Sequence, residues 1–313
     1  MTGRKIRAGL AERLQRLTAS DVWSAVRRSP TALLAASVTL LFVAAALFAP
    51  LIAPQDPFDL ATISVLDARL PPLWMDGGDA RFLLGTDDQG RDILSAILYG
   101  LRVSLAVGLT AVAIAATAGI AIGLAAGYAG GWADAALMRL ADVQLTFPAI
   151  LIALLIDGAL HGLVGRPDDA TPAFVVLVLA LSLSFWVQYA RTVRGATMVE
   201  KTKDYVLAAR IMGLPAPLIL LRHILPNVLG PVLVIATINL AVAILTEATL
   251  SFLGVGMPPT EPSLGTLIAT GNDFLYGGEW WIALFPGGAL ALLVLAVNLL
   301  GDVLRDALNP KLR

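Results

Sequence analysis

The chain has 313 residues, 58% apolar and 14% charged, with a mean hydropathy of +0.80. An average soluble domain carries about 25% charged residues, so a disordered tail protein is excluded, an ordinary soluble enzyme is disfavoured, and the apolar surplus calls for lipid. The net charge of −1 argues against nucleic acid as a partner. The absence of cysteine excludes disulfides and thiolate metal or redox sites.

Residues 1–30 form a basic leader carrying Arg4, Lys5, Arg7, Arg13, Arg16, Arg27 and Arg28. Ile6, Leu10, Leu14 and Leu17 recur at helical spacing, which suits a helix lying on a membrane surface; a disordered basic tail is the alternative. A membrane-spanning helix needs about 20 mostly apolar residues. The first such stretch is 29–55, with the helix itself at 31–54; it is longer than a signal-peptide core and reads as a retained anchor. Residues 55–99 form a long loop rich in Pro, Gly and Asp. The second span lies in the charge-free run 103–133 and closes on a tight turn at Gly130 and Gly131. The third covers 135–156, with Arg139 and Asp142 at its start. The fourth covers 170–190, the fifth 228–247 and the sixth 280–301.

Lys and Arg concentrate on one side of this arrangement, in the leader, at Arg139, in the connection 191–227 (Arg191, Arg194, Lys201, Lys203, Arg210, Arg222) and in the tail 306–313. The other side holds Arg69, Arg81, Arg91, Arg102 and Arg166. Both termini and the connection 191–227 are therefore expected in the cytoplasm. An all-α integral membrane protein of six transmembrane helices results, its core covering 100–305.

The connection 191–227 is too long and too apolar for a plain linker. From Asp204 it reads DYVLAARIMGLPAPLILLRHILPN. The spacing predicts a short helix ending at Gly213, a glycine turn, and a second helical segment at 216–225 closed by Pro226. Packing against its own bundle and docking of a partner protein are both open to such a loop.

This segment resembles the EAA signature of bacterial ATP-binding-cassette importer permeases. Ala208, Ala209, Gly213, Leu225 and Pro226 match that pattern; Leu207 stands in place of its glutamate and His223 in place of its isoleucine. The stretches 84–108, 126–148, 251–265 and 298–312 are similar to the dipeptide/oligopeptide branch of the family, closest to its second, C-type permease subunit. The leader and residues 70–82 lie outside the resemblance.

The resemblance implies the type I importer permease fold. It implies a second permease chain in a heterodimer, two ATP-binding-cassette ATPase subunits and a periplasmic or lipid-anchored solute-binding protein, in a bacterial inner membrane. ATP and Mg would sit on the ATPases, with no cofactor on this chain. Residues 205–217 would couple to the ATPases, through Tyr205, Ala208, Ala209, Arg210, Gly213, Leu214 and Pro215. Di- or oligopeptides are the implied cargo; nickel, an opine, a glycoside or glutathione are alternatives.

The residues themselves add candidates. None of Lys5, Lys201, Lys203 and Lys311 follows a G-x-x-x-x-G loop, so no phosphate cradle is visible. Asn239 and Glu247 in the fifth span are candidates for a pathway or gate, or for bonds within their own bundle. Asp87, Asp88, Arg91 and Asp92 form a polar external cluster suited to docking a binding protein; it lacks the ligand alternation of a calcium loop. Gly119, Gly123 and Gly127, spaced four apart, permit close helix approach. An intramembrane serine protease would need a histidine at membrane depth, and His161 and His223 both fall in expected connections. A channel or scaffold without an ATPase leaves the patterned loop unexplained.

Overall fold

The computed structural model describes residues 29–59, 61–164 and 170–308. The leader helix, Arg166 and the last residues of the tail lie outside them. All regular structure among the described residues is helical, apart from one isolated antiparallel bridge between Thr86 and Asp92. In chain order the helices are α1 (Pro30–Leu47), α2 (Ala49–Ile52), α3 (Ile93–Ala129), α4 (Gly131–Leu145), α5 (Ala149–Val164), α6 (Ala170–Glu200), α7 (Asp204–Ile211), α8 (Ala216–Ile219), α9 (Leu225–Phe252), α10 (Leu264–Asn272) and α11 (Trp281–Leu308). Among the described residues, five segments are long and apolar enough to cross a membrane, or six if the bent pair α4–α5 counts as one.

That pair differs from the single helix expected over 135–156. The chain turns by 91° between α4 and α5. Pro148 explains the break: it has no N–H for the helical ladder, and it disfavours helical backbone at Phe147 before it. Thr146 Oγ1 meanwhile donates to the carbonyl of Val143 at 2.6 Å.

The other helices overrun their charge-free windows. α3 starts ten residues before Val103 and has 37 residues, roughly 55 Å at about 1.5 Å each against about 30 Å of hydrocarbon. Asp92 caps it, accepting from Ser95 N at 2.8 Å. α6 continues past residue 190 to Glu200 because its arginines are paired. Arg194 donates to both carboxylate oxygens of Asp134 at 2.5 and 2.6 Å, and Arg191 donates to Asp142 at 2.5 Å. These pairs tie α4 to α6.

α3 and α6 lie against each other along the glycine stripe. A Cβ on Gly119 would meet Trp186 O at 2.5 Å. On Gly123 it would meet Ala190 O at 2.6 Å, and on Gly127 Arg194 O at 2.8 Å. The stripe thus packs backbone against backbone, as its spacing suggested.

Two apolar clusters fill the bundle. One joins the middle of α3 and α6 to α7, α8 and the first half of α9, through Tyr189, Val193, Val206, Ala209, Ile219 and Ile224. The other joins α1, the start of α3, the far half of α9, α10 and α11, through Leu101, Ile244, Leu264 and Trp281.

Candidate functional site

The segment between α6 and α9 is built by local rules. Lys203 precedes α7 in extended conformation and Asp204 occupies its first turn, where a carboxylate is favoured by the helix dipole. At the other end Gly213 N donates to Arg210 O at 3.0 Å and Leu214 N donates to Ala209 O at 3.2 Å. This pair of bonds is the Schellman termination, which places the following residue in left-handed backbone. Gly213 has φ of +76°. Pro215 then restarts the chain into α8.

A wider π turn, Leu220–Ile224, links α8 to α9. Pro226 has no N–H to give the carbonyl of Arg222 four residues back. The ladder slips by one residue, and Leu225 N donates to Leu220 O instead. The expected second helical segment at 216–225 is therefore continuous with α9, and the long apolar helix runs from Ala216 to Phe252.

α7 is two-faced. Val206 and Ala209 are fully buried against the bundle; burying a valine contributes about 1.5–3 kcal/mol. Leu207, Ile211 and Met212 face outward, as do Leu218 and Leu221 beyond the turn, and Ile211 is 87% exposed. Ala208, Gly213 and Pro215 lie on this outer surface, while Leu214 is half-buried. Packing on its own bundle and an open apolar face thus coexist in one short helix.

Polar bonds fasten α7 to three long helices. Tyr205 Oη donates to Glu200, the last residue of α6, and accepts from Asn227 Nδ2 in α9 at 3.1 Å. Lys203 Nζ donates to the other oxygen of Glu200 at 2.5 Å. Asn227 Nδ2 also donates to His223 O at 2.7 Å. The Arg210 guanidinium lies 4.8 Å from the ring centre of Tyr128, at the end of α3. Lys201 Nζ donates to Gly127 O at 2.6 Å, a cation on the orphan carbonyls of a helix end. Burial, then the Glu200 carboxylate, push the Tyr205 phenol up to about 12.

Tyr205 and Arg210 were legible as parts of the segment. Their partners Tyr128, Glu200 and Asn227 were not, because contacts between separate elements leave no periodic signal. His223 is half-buried on the π turn. His161 falls on α5, not in a connection, and its side chain lies outside the described residues.

Glu247 is fully buried, with Ser104 Oγ donating to it at 2.8 Å and Ser251 Oγ at 2.7 Å. Leu264 N donates in turn to Ser104 Oγ at 3.3 Å. The carboxylate thereby joins α3, α9 and α10 within the chain. Asn239 is 2% exposed, and its Nδ2 has no partner among the described residues.

The external cluster requires a correction. Asp87, Arg91 and Asp92 are only 3%, 4% and 1% exposed, so they offer no charged docking surface. Asp87 Oδ2 accepts from Arg91 Nε at 2.6 Å, and Arg91 Nη1 donates to Pro259 O at 3.2 Å. Asp92 N donates to Gln55 Oε1 at 2.9 Å, and Trp281 Nε1 donates to Thr86 O at 3.3 Å. The cluster is a knot that ties loop 53–92 to α3 and α11; buried charges persist only with such partners. Asp88 is less enclosed; burial, then the Asp87 charge, hold its carboxyl above the usual range.

Comparison with known proteins identifies the family. Residues 119–313 match the family described as binding-protein-dependent transport system inner membrane component. Residues 18–72 match the N-terminal TM domain of oligopeptide transport permease C. The di/tripeptide transport system permease protein DppC of Pseudomonas aeruginosa (strain UCBPP-PA14) is 40% identical over 94% of this chain and 92% of its own length. The dipeptide transport system permease protein DppC of Escherichia coli (strain K12) is 42% identical over 94% and 93%. A solved inward-facing MetNI methionine ABC transporter chain is 19% identical, covering 66% of this chain and 94% of its own, with a TM-score of 0.48. A transport family rather than an enzyme family is thereby matched, over both the bundle and the patterned loop, and the chain belongs to the binding-protein-dependent transport system inner membrane components.

Proposed function

We propose that this chain is a permease subunit of an ATP-driven importer for di- or tripeptides in a bacterial inner membrane. The observation that carries the cargo is identity of 40% and 42%, over 94% of the chain, to permeases named for di/tripeptide and dipeptide transport. Both termini and the segment 191–227 face the cytoplasm, as the distribution of Lys and Arg favours. A second, non-identical permease chain completes the pathway, and lipid covers the rest of the bundle. A solute-binding protein docks outside, on loop 53–92, where Val65 and Leu66 stand exposed.

Two ATPase subunits, holding ATP and Mg, drive the cycle; this chain binds no cofactor. One ATPase docks on the apolar face around Ile211, Met212 and Leu221. Because Tyr205 and Arg210 join α7 to the ends of α3, α6 and α9, movement of the docked helix is passed to three long helices together. Tyr205, Ala208, Ala209, Arg210, Gly213, Leu214 and Pro215 form the coupling segment.

Cells lacking only this chain should lose uptake of labelled dipeptides and regain it with the gene. Gly213→Asp tests the coupling. Apart from its chain neighbours, no atom of the described residues lies within 4 Å of a Cβ at Gly213, so their packing has room for the change. The added side chain meets left-handed backbone, costing about 1–2 kcal/mol, and the ATPase surface. The variant should reach the membrane at normal levels and import no dipeptide. Normal import by well-expressed Gly213→Asp overturns the coupling assignment; unchanged dipeptide uptake without the chain moves the cargo to another solute.

A further inference from the structure

At the end of the bundle away from Gly213, a cavity of about 430 Å³ opens between the first turns of α3, the start of α6 and the loop after α9. Its walls are mainly apolar: Phe58 and Tyr99, edge to face at 5.1 Å, with Phe174 and Met257. Two charged side chains also line it, Arg102 on α3 and Glu261 in the loop after α9.

These two charges lack the partners that the neighbouring arginines have. The other described arginines at this end are engaged: Arg69 with Glu279, Arg81 with Asp67 and Asp79, Arg91 with Asp87. Neither the Arg102 guanidinium nor the Glu261 carboxylate has a hydrogen bond or ion pair among the described residues. They share one cavity yet stand beyond the 4.0 Å of an ion pair. Arg102, in the third turn of α3, is the one charged residue of that helix. Arg102 and Glu261 are both exposed, so each is open to a ligand arriving from outside.

A short peptide is a zwitterion, with a carboxylate at one end and an ammonium at the other, on the order of 7 Å apart in a dipeptide. A cation and an anion lining one mainly apolar space match the charges of those ends, and aromatic walls accept varied side chains without reading them. Ligand pockets run from about 300 to 1,000 Å³, so the volume suits two or three residues. We propose that this cavity is an outer receiving site for the peptide, with Arg102 holding its terminal carboxylate and Glu261 its terminal ammonium. The proposal rests on the peptide-import reading above.

Proteoliposomes carrying the assembled importer, with its ATPases and binding protein, test it with labelled dialanine. Arg102→Met and Glu261→Gln should each slow dialanine uptake about tenfold, the size expected for losing one charged hydrogen-bond partner. Arg102→Lys keeps the charge and should stay within about threefold of wild type. ATP hydrolysis stimulated by the binding protein should keep its wild-type rate in all three. Unchanged uptake in Arg102→Met and Glu261→Gln overturns the site. So does a parallel fall of stimulated ATP hydrolysis and uptake, which marks a docking or folding role. Wild-type importer that moves no dialanine overturns the peptide reading and this site with it.

Discussion

Tyr205 holds one hydroxyl between two long helices, donating to Glu200 and accepting from Asn227. Tyr205→Phe removes both bonds while leaving Val206 and Ala209 packed. A half-satisfied carboxylate at Glu200 remains, a loss of about 1–3 kcal/mol. The detergent-solubilised importer should melt several degrees lower, and fewer peptides should cross per ATP hydrolysed. Unchanged melting together with an unchanged peptide-to-ATP ratio would refute the bolt. The phenol also has a pH signature. Burial and Glu200 raise its pKa to about 12 in the folded chain, against about 10 in a free tyrosine. A raised folded pKa gives a contribution complete below pH about 10 and lost as pH rises through about 12. Coupling therefore carries no pH dependence from this group near neutrality, and alkaline absorbance titration of Tyr205→Phe should lack a phenol that ionises near pH 12. Gly213 was legible in the sequence because its requirement is local: a helix, a left-handed residue, a proline. Glu200 and Asn227 were not, because what selects them is a tyrosine brought to them by the packed bundle.

Helix contacts obey the same division. The glycine stripe of α3 was readable from spacing alone, but its partner was not; backbone atoms of α6 within 2.5–2.8 Å of the missing Cβ positions identify it. Gly123→Leu should force α3 and α6 apart near Ala190 and Val193. Overpacking a tight contact costs about 1–3 kcal/mol or more, and here the obstacle is backbone, which cannot rotate away. The variant should melt lower in detergent and lose assembly with the ATPases; wild-type melting would mean that the two helices do not pack this closely. The bent third segment shows why charge-free windows mislead about helix ends. Counting Asp, Glu, Lys and Arg joins residues on both sides of Pro148 into one span, although proline ends the ladder there. The same counting cut α6 short at Arg191. Asp134 and Asp142 on α4 neutralise Arg194 and Arg191, and those partners lie about fifty to sixty positions away in sequence.

Across the whole molecule, the proposed mechanism needs opposite ends of the bundle to face opposite compartments. The apolar face at Ile211 must be cytoplasmic, and the loop carrying Leu66 must be external. The chain contains no cysteine, so a single introduced thiol reports one position without background. Ile211 and Leu66 are 87% and 94% exposed, and neither substitution disturbs a packed contact. In intact cells stripped of their outer membrane, an impermeant maleimide should label Leu66→Cys and leave Ile211→Cys unmodified. Permeabilising the inner membrane should expose Ile211→Cys, and co-expressed ATPases should then slow its labelling, because the docked ATPase covers it. Labelling of Ile211→Cys from outside would invert the bundle and remove the ATPases from this face. Labelling from inside at a rate indifferent to the ATPases would keep the orientation and move the docking surface elsewhere. The two results separate sidedness, which follows from the placement of Lys and Arg, from coupling, which follows from how α7 is bolted to α3, α6 and α9.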